Sequence, residues 1–116
     1  MSLTPGRINF VCPQGSTFRK TVTYKIDDVP VNITGYTSRL QVRETHYDTS
    51  TIASLTSGNG ITLGGSAGTI DILMSASATA LFDAGNFVYD LEIQSSSGIV
   101  DRLIEGSFIV TPEVTR

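Results

Sequence analysis

Hydrophobic and polar residues alternate along this chain in short runs, each closed by glycine, serine, asparagine or threonine. The clearest run is Phe87 to Gln94, in which Phe87, Tyr89, Leu91 and Ile93 share one side and Val88, Asp90, Glu92 and Gln94 the other. That period of two is a strand with one face in a core and one in water. Thr37 to Glu44 repeats the pattern, with Ser38, Leu40 and Val42 set against Arg39, Gln41 and Arg43. Arg7–Cys12 reads as a first strand, Phe18–Ile26 as a second and Thr69–Met74 as another, with Ile70, Ile72 and Met74 inward. Thr51–Leu55 and Ile61–Leu63 are weaker strands, and Ile99–Thr111 is the return strand, bent near Glu105-Gly106. Asp27-Asp28, Ser57 to Gly60, Gly64 to Gly68 and Ser95 to Gly98 are turns. Asn32 to Tyr36 is a loop that sets Tyr36 against the core, and Thr45–Thr51 is a polar tip. The only helical candidate is Ser75–Leu81, whose small residues and serine cap allow one short turn near 75–82.

About seven to nine short strands with regular turn signals predict an all-β, immunoglobulin-like antiparallel sandwich. The corner at Leu81 to Phe87 decides for a sandwich over a barrel. Leu81, Asp83, Gly85 and Phe87 fall at alternate positions, forming a corner that feeds the sixth strand. In antibody-type domains that corner carries a tyrosine two residues before a disulfide cysteine. Here Phe87 stands for the tyrosine and Tyr89 for the cysteine, which predicts a sandwich held by packing alone, without a corner hydroxyl bond or a bridge.

The length of 116 residues supports one domain spanning 1–116. No apolar run reaches the roughly 20 residues of a membrane-spanning helix, and Met1 to Gly6 lacks the charged and apolar blocks of an export leader. Eight basic and eleven acidic residues give a net charge of −3, with Arg19-Lys20 the only adjacent basic pair. No basic face for nucleic acid is expected. The single cysteine, Cys12, can form neither an internal disulfide nor a zinc site and reads as a small buried hydrophobe. It fits assembly in a reducing cytoplasm.

Candidate chemistry is sparse. His46 is the only histidine, in Glu44-Thr45-His46-Tyr47-Asp48. Glu44, His46 and Asp48 would share one side if extended, but a solvated loop tip is favoured over a metal or acid–base set. His46 and Tyr47 are the candidate contact loop, and Phe82 fits either an exposed contact or, at least as well, the core. Gly64 to Gly68 lacks the lysine of a phosphate loop. Asn32-Ile33-Thr34 spells a glycosylation sequon that occurs often by chance. No nucleophile elbow is present, and one histidine would have to serve any triad. No catalytic residue, cofactor or metal ligand is assigned, and an enzyme is not expected.

Several segments together carry a family resemblance. They are Pro5-Gly6-Arg7-Ile8-Asn9-Phe10 to Phe18, Val31 to Glu44, Gly60-Ile61-Thr62-Leu63-Gly64-Gly65, Gly85 to Glu92, and the closing Glu105 to Arg116. On these the chain resembles small immunoglobulin-like structural proteins of tailed bacteriophages, and it is similar to the N-terminal domain of phage baseplate upper proteins. The resemblance implies a non-enzymatic virion component, assembled in the host cytoplasm, that sits in the tail, baseplate or fibre-attachment region. It would dock other virion proteins and self-associate through edge strands, with Arg7–Cys12 and Ile99–Val110 the candidate edge or terminal strands. A capsid decoration protein is the alternative. A carbohydrate-binding module is a second, weakened by the lack of tryptophan.

Overall fold

In the computed structural model, residues 6–115 are described. The leader reading at Met1–Thr4, and Pro5 and Arg116 of the resemblance, lie outside them. Strands β1 (Gly6–Arg7), β2 (Phe10–Pro13), β3 (Phe18–Thr23), β6 (Thr37–Arg43), β7 (Ala53–Ser57), β8 (Gly60–Leu63), β9 (Thr69–Met74), β10 (Gly85–Gln94) and β11 (Val100–Thr111) form one curled sheet. Its order is β1-β11-β10-β6-β7-β8-β9-β3, with β2 also on β11. A separate ribbon pairs β4 (Lys25–Ile26) with β5 (Val29–Pro30), and one short helix, α1, spans Ala76–Thr79.

The sheet doubles back on itself as an immunoglobulin-like sandwich. A front leaf runs from β1 and β2 through β11, β10 and β6 to β7, and a back leaf holds β8, β9 and β3. The leaves join where Thr56 and Ser57 pair with Gly60 and Ile61. Gly60 makes this corner possible, because its φ is +93° and an added Cβ would lie 2.7 Å from Leu55 Cδ2.

The alternation read from the sequence is realised where the strands are long. Ser38, Leu40 and Val42 of β6, Ile70, Ile72 and Met74 of β9, and Phe87, Tyr89, Leu91 and Ile93 of β10 are all buried. They close on Phe18 and Phe108 from opposite leaves, whose rings lie 5.3 Å apart. Ser75 caps α1 by accepting a hydrogen bond from the Ala78 amide, and a 3-10 turn over Gly65–Ala67 joins β8 to β9.

Several expectations differ. The second strand ends at Thr23, and Lys25–Ile26 leaves the sandwich with Val29–Pro30. Asp27 and Asp28, at φ of 51° and 65°, make the left-handed turn that a two-residue hairpin needs. The Asn32–Tyr36 loop does set Tyr36 against the core, and Ile33 is its fully buried side chain. The irregularity of β11 falls at Leu103, where the register with β10 slips between Leu91 and Glu92, and not at Glu105-Gly106.

The first strand is broken. β1 and β2 run parallel to β11 in a common register, Gly6 opposite Ile104 and Phe10 opposite Phe108, with a kink at Ile8-Asn9 between them. Gly106 lies under that kink, and an added methyl there would overlap the Ile8 carbonyl. The Asn9 side chain takes over part of the ladder by accepting a hydrogen bond from the Ser107 amide at 3.0 Å. Along Ile104–Glu105 and Phe108–Thr111, β11 is therefore flanked on both sides, by β10 and by β1 or β2, and cannot be the edge expected of Ile99–Val110 there.

Candidate docking surfaces

In the segment read as a corner, Tyr89 makes a hydroxyl bond that the sequence does not announce. Tyr89 lies in the core, stacked on Phe10 at 4.8 Å, and its hydroxyl donates to the Ile8 carbonyl at 2.6 Å. The kink at Ile8 turns that carbonyl inward, and Tyr89 supplies the donor that its burial requires. The sandwich is therefore not held by apolar packing alone. Burial pushes the Tyr89 pKa well above its ordinary value. Phe87 is buried, Gly85 begins β10, Asp83 is exposed, and Leu81 projects from the surface.

Further bonds fasten the corner to the chain's beginning and end. Gln14 Nε2 donates to the Phe82 carbonyl at 2.6 Å, while Gln14 Oε1 accepts from the Glu113 amide at 3.1 Å. Thr79, fully buried, donates its hydroxyl to the Ser16 carbonyl at 2.8 Å. Phe82, one of the two expected contact aromatics, is buried with its ring 6.3 Å from that of Phe108. It serves the core because the turn after α1 folds it inward.

The other expected contact, the loop carrying His46 and Tyr47, is held down by its polar ends. Arg43 Nη1 donates to the Asp48 carbonyl at 2.8 Å, and the Asp48 carboxylate accepts from the Thr45 amide at 3.1 Å. Tyr47 is left 94% exposed. His46 borders a shallow cavity of about 330 Å³ on the outer face of the front leaf, with Arg39, Arg43, Asp90, Glu92 and Glu105.

Charges on this face are mostly matched. Arg39 meets Glu92 at 2.7 Å, and Arg102 lies 3.4 Å from Asp90 and 3.9 Å from Glu105. Burial raises the Asp90 pKa, opposed by Arg102. On the back leaf the Arg19 and Thr21 hydrogen bonds lower that of Asp71. Among the described residues no group of three His, Cys, Asp or Glu side chains could hold a metal, so Glu44, His46 and Asp48 are not brought together. Cys12 is buried and its thiol pKa is raised by desolvation, the reverse of a reactive cysteine's environment. Asn32 Oδ1 accepts from the Thr34 amide at 3.0 Å and the Thr34 hydroxyl at 2.6 Å, a turn that accounts for the sequon triplet.

One surface was missed by the sequence reading. Above Gly60 the leaves part, and an apolar groove of about 750 Å³ opens between Thr51–Leu55 and Leu73–Ser75. Leu55, Met74, Ala78 and Phe82 help to line it, and Leu81 stands at its margin, 84% exposed. Its signals in the sequence are Leu81 and the uncharged stretch from Thr49 to Ile70.

No family model matches this sequence, and no curated protein matches it. Solved structures are similar at the level of architecture. CopC from Methylosinus trichosporium OB3b has a TM-score of 0.47 at 10% identity, covering 97% of this chain and 88% of its own. The extracellular domain of the voltage-gated sodium channel β4 subunit, described as a parallel homodimer in cell–cell adhesion, has 0.47 at 14% identity and covers 98% and 99%. Extracellular domains 3–5 of Drosophila OTK reach 0.41 at 18% identity, covering 98% of this chain and 36% of theirs.

Proposed function

We propose that this chain is a non-enzymatic structural protein of a tailed-phage virion, assembled in the host cytoplasm and acting in the tail, baseplate or fibre-attachment region. It works by docking other virion proteins and by self-association. The sequence resemblance supports the setting. The observation that carries the docking role is the apolar groove, around which Ile52, Leu73 and Leu81 are exposed together, because several exposed apolar side chains about one cavity mark an interaction surface where a single one does not. Several polar side chains have structural partners. Asp48, Thr79 and Tyr89 hold loops and strands, and Arg39, Asp90 and Glu92 are ion-paired.

Peptide mass spectrometry of purified particles, with labelled-antibody electron microscopy, tests this reading. The protein is expected in the particle at tail-region stoichiometry. Its absence from particles overturns the reading, and a stoichiometry matching the capsid lattice moves the protein to capsid decoration.

A further inference from the structure

The groove lies between two strand edges. β8 pairs with β9 only along Ile70–Ile72, and β7 meets β8 only at Thr56 and Ser57. Among the described strands, Ala53, Ser54 and Leu55 of β7 pair on one side alone, with Val42, Gln41 and Leu40 of β6. β7 thus presents an open edge above an apolar floor.

Open edges are ordinarily guarded by charge, proline or irregularity. β3, the edge of the back leaf, carries Arg19 and Lys20, and the opposite margin of the front leaf carries Arg7 and Pro13. The β7 edge has no such guard. From Thr49 to Ile70 the sequence contains neither a charged residue nor a proline, the longest uncharged stretch in the chain. Asp83 is the one charged residue lining the groove.

Building on the docking role above, we propose that the β7 edge and its groove form the self-association interface, and that the occupant is the β7 edge of a second copy lying antiparallel across a two-fold axis. Two considerations select a second copy over a foreign chain. A two-fold contact sets each patch against a copy of itself, so a patch of one net sign repels its copy and groups on the axis meet their like. With a net charge of −3 per copy, this uncharged edge is where two copies can approach without that repulsion. A foreign partner is selected by complementary charge or by polar groups that reject competitors, and this groove offers only Asp83. Antiparallel pairing supplies main-chain hydrogen bonds, while Ile52, Leu73 and Leu81, respectively 37%, 47% and 84% exposed, supply apolar area to cover.

The test is the oligomeric state of the purified chain by sedimentation velocity over a concentration series. The expected result is a reversible dimer. Ile52→Lys and Leu81→Lys alter exposed side chains outside the core, and each is expected to weaken the dimer by about tenfold or more, with unchanged circular dichroism. Amide exchange at Ala53–Leu55 should slow as the dimer forms. A monomer throughout the series, or a dimer equally tight in both variants, overturns the assignment. The two readings fail separately. A dimer of a protein absent from particles overturns the virion role alone, and a monomer found in particles overturns the β7 interface alone.

Discussion

The two margins of the front leaf are finished in opposite ways. At the β1–β2 margin the chain is stitched down by side chains, with Tyr89 on Ile8, Asn9 on Ser107, Gln14 on Phe82 and Glu113, and Thr79 on Ser16. At the β7 margin the leaves part, and apolar side chains stand exposed around a groove. The stitched margin joins segments far apart in sequence, so its bonds fix the topology. The open margin is free of that duty, and its composition can be set by what it meets. Stability and interaction are thereby assigned to opposite margins of one leaf, and substitutions should separate them.

The largest loss is expected at the aromatic cluster beneath the stitched margin. Phe108 is fully buried and meets the rings of Phe18, Phe82 and Tyr89. Phe108→Ala should cost about 3–5 kcal/mol in denaturant unfolding. Gly106→Ala comes next, at about 1–3 kcal/mol, because its methyl must displace the Ile8 backbone. Its diagnostic is faster amide exchange at Ile8 and Ser107, whose amides bond Glu105 and Asn9.

Tyr89→Phe should cost about 1–2 kcal/mol, since it leaves the Ile8 carbonyl without its donor while keeping the ring. It also alters the alkaline limb of the stability profile. The folded Tyr89 pKa is raised by burial above the ordinary value of about 10, so the folded state holds its proton more tightly than the unfolded state does. Stability is then fully present below about pH 10 and falls as the pH rises beyond it. Melting temperatures from pH 8 to 11 should decline less steeply in Tyr89→Phe than in the parent chain. The smallest effect belongs to the open margin, where Leu81→Lys should change the unfolding free energy of the monomer by no more than about 0.5 kcal/mol. A loss there comparable to that of Tyr89→Phe would mean that the margins do not divide their duties.

Much of this architecture is written in local pattern. The inward faces of β6, β9 and β10 follow from a period of two. The α1 turn follows from Ser75 and the small residues after it, and the Asp27-Asp28 turn from residues that tolerate positive φ. The burial of Phe87 and Tyr89 follows from the same period, whereas the bond that fastens Tyr89 does not. Ile8 lies 81 residues from Tyr89, and nothing near either residue announces the other. Phe87, at the position of the corner tyrosine, carries no hydroxyl. The structure places a hydroxyl two residues later, in the slot where a disulfide cysteine would stand.

The sequence by itself determined the class of elements, the faces they bury, the single-cysteine core and the absence of a recognisable catalytic motif, since each depends on residues close together in the chain. Only the tertiary structure decided which strands are edges. It covered much of β11, which looked free, with β1 and β2, and it left β7, which looked merely weak, open beside an apolar groove. Whether a strand is an edge depends on where other strands stop pairing, a property of several distant segments at once that no local alternation of residues encodes.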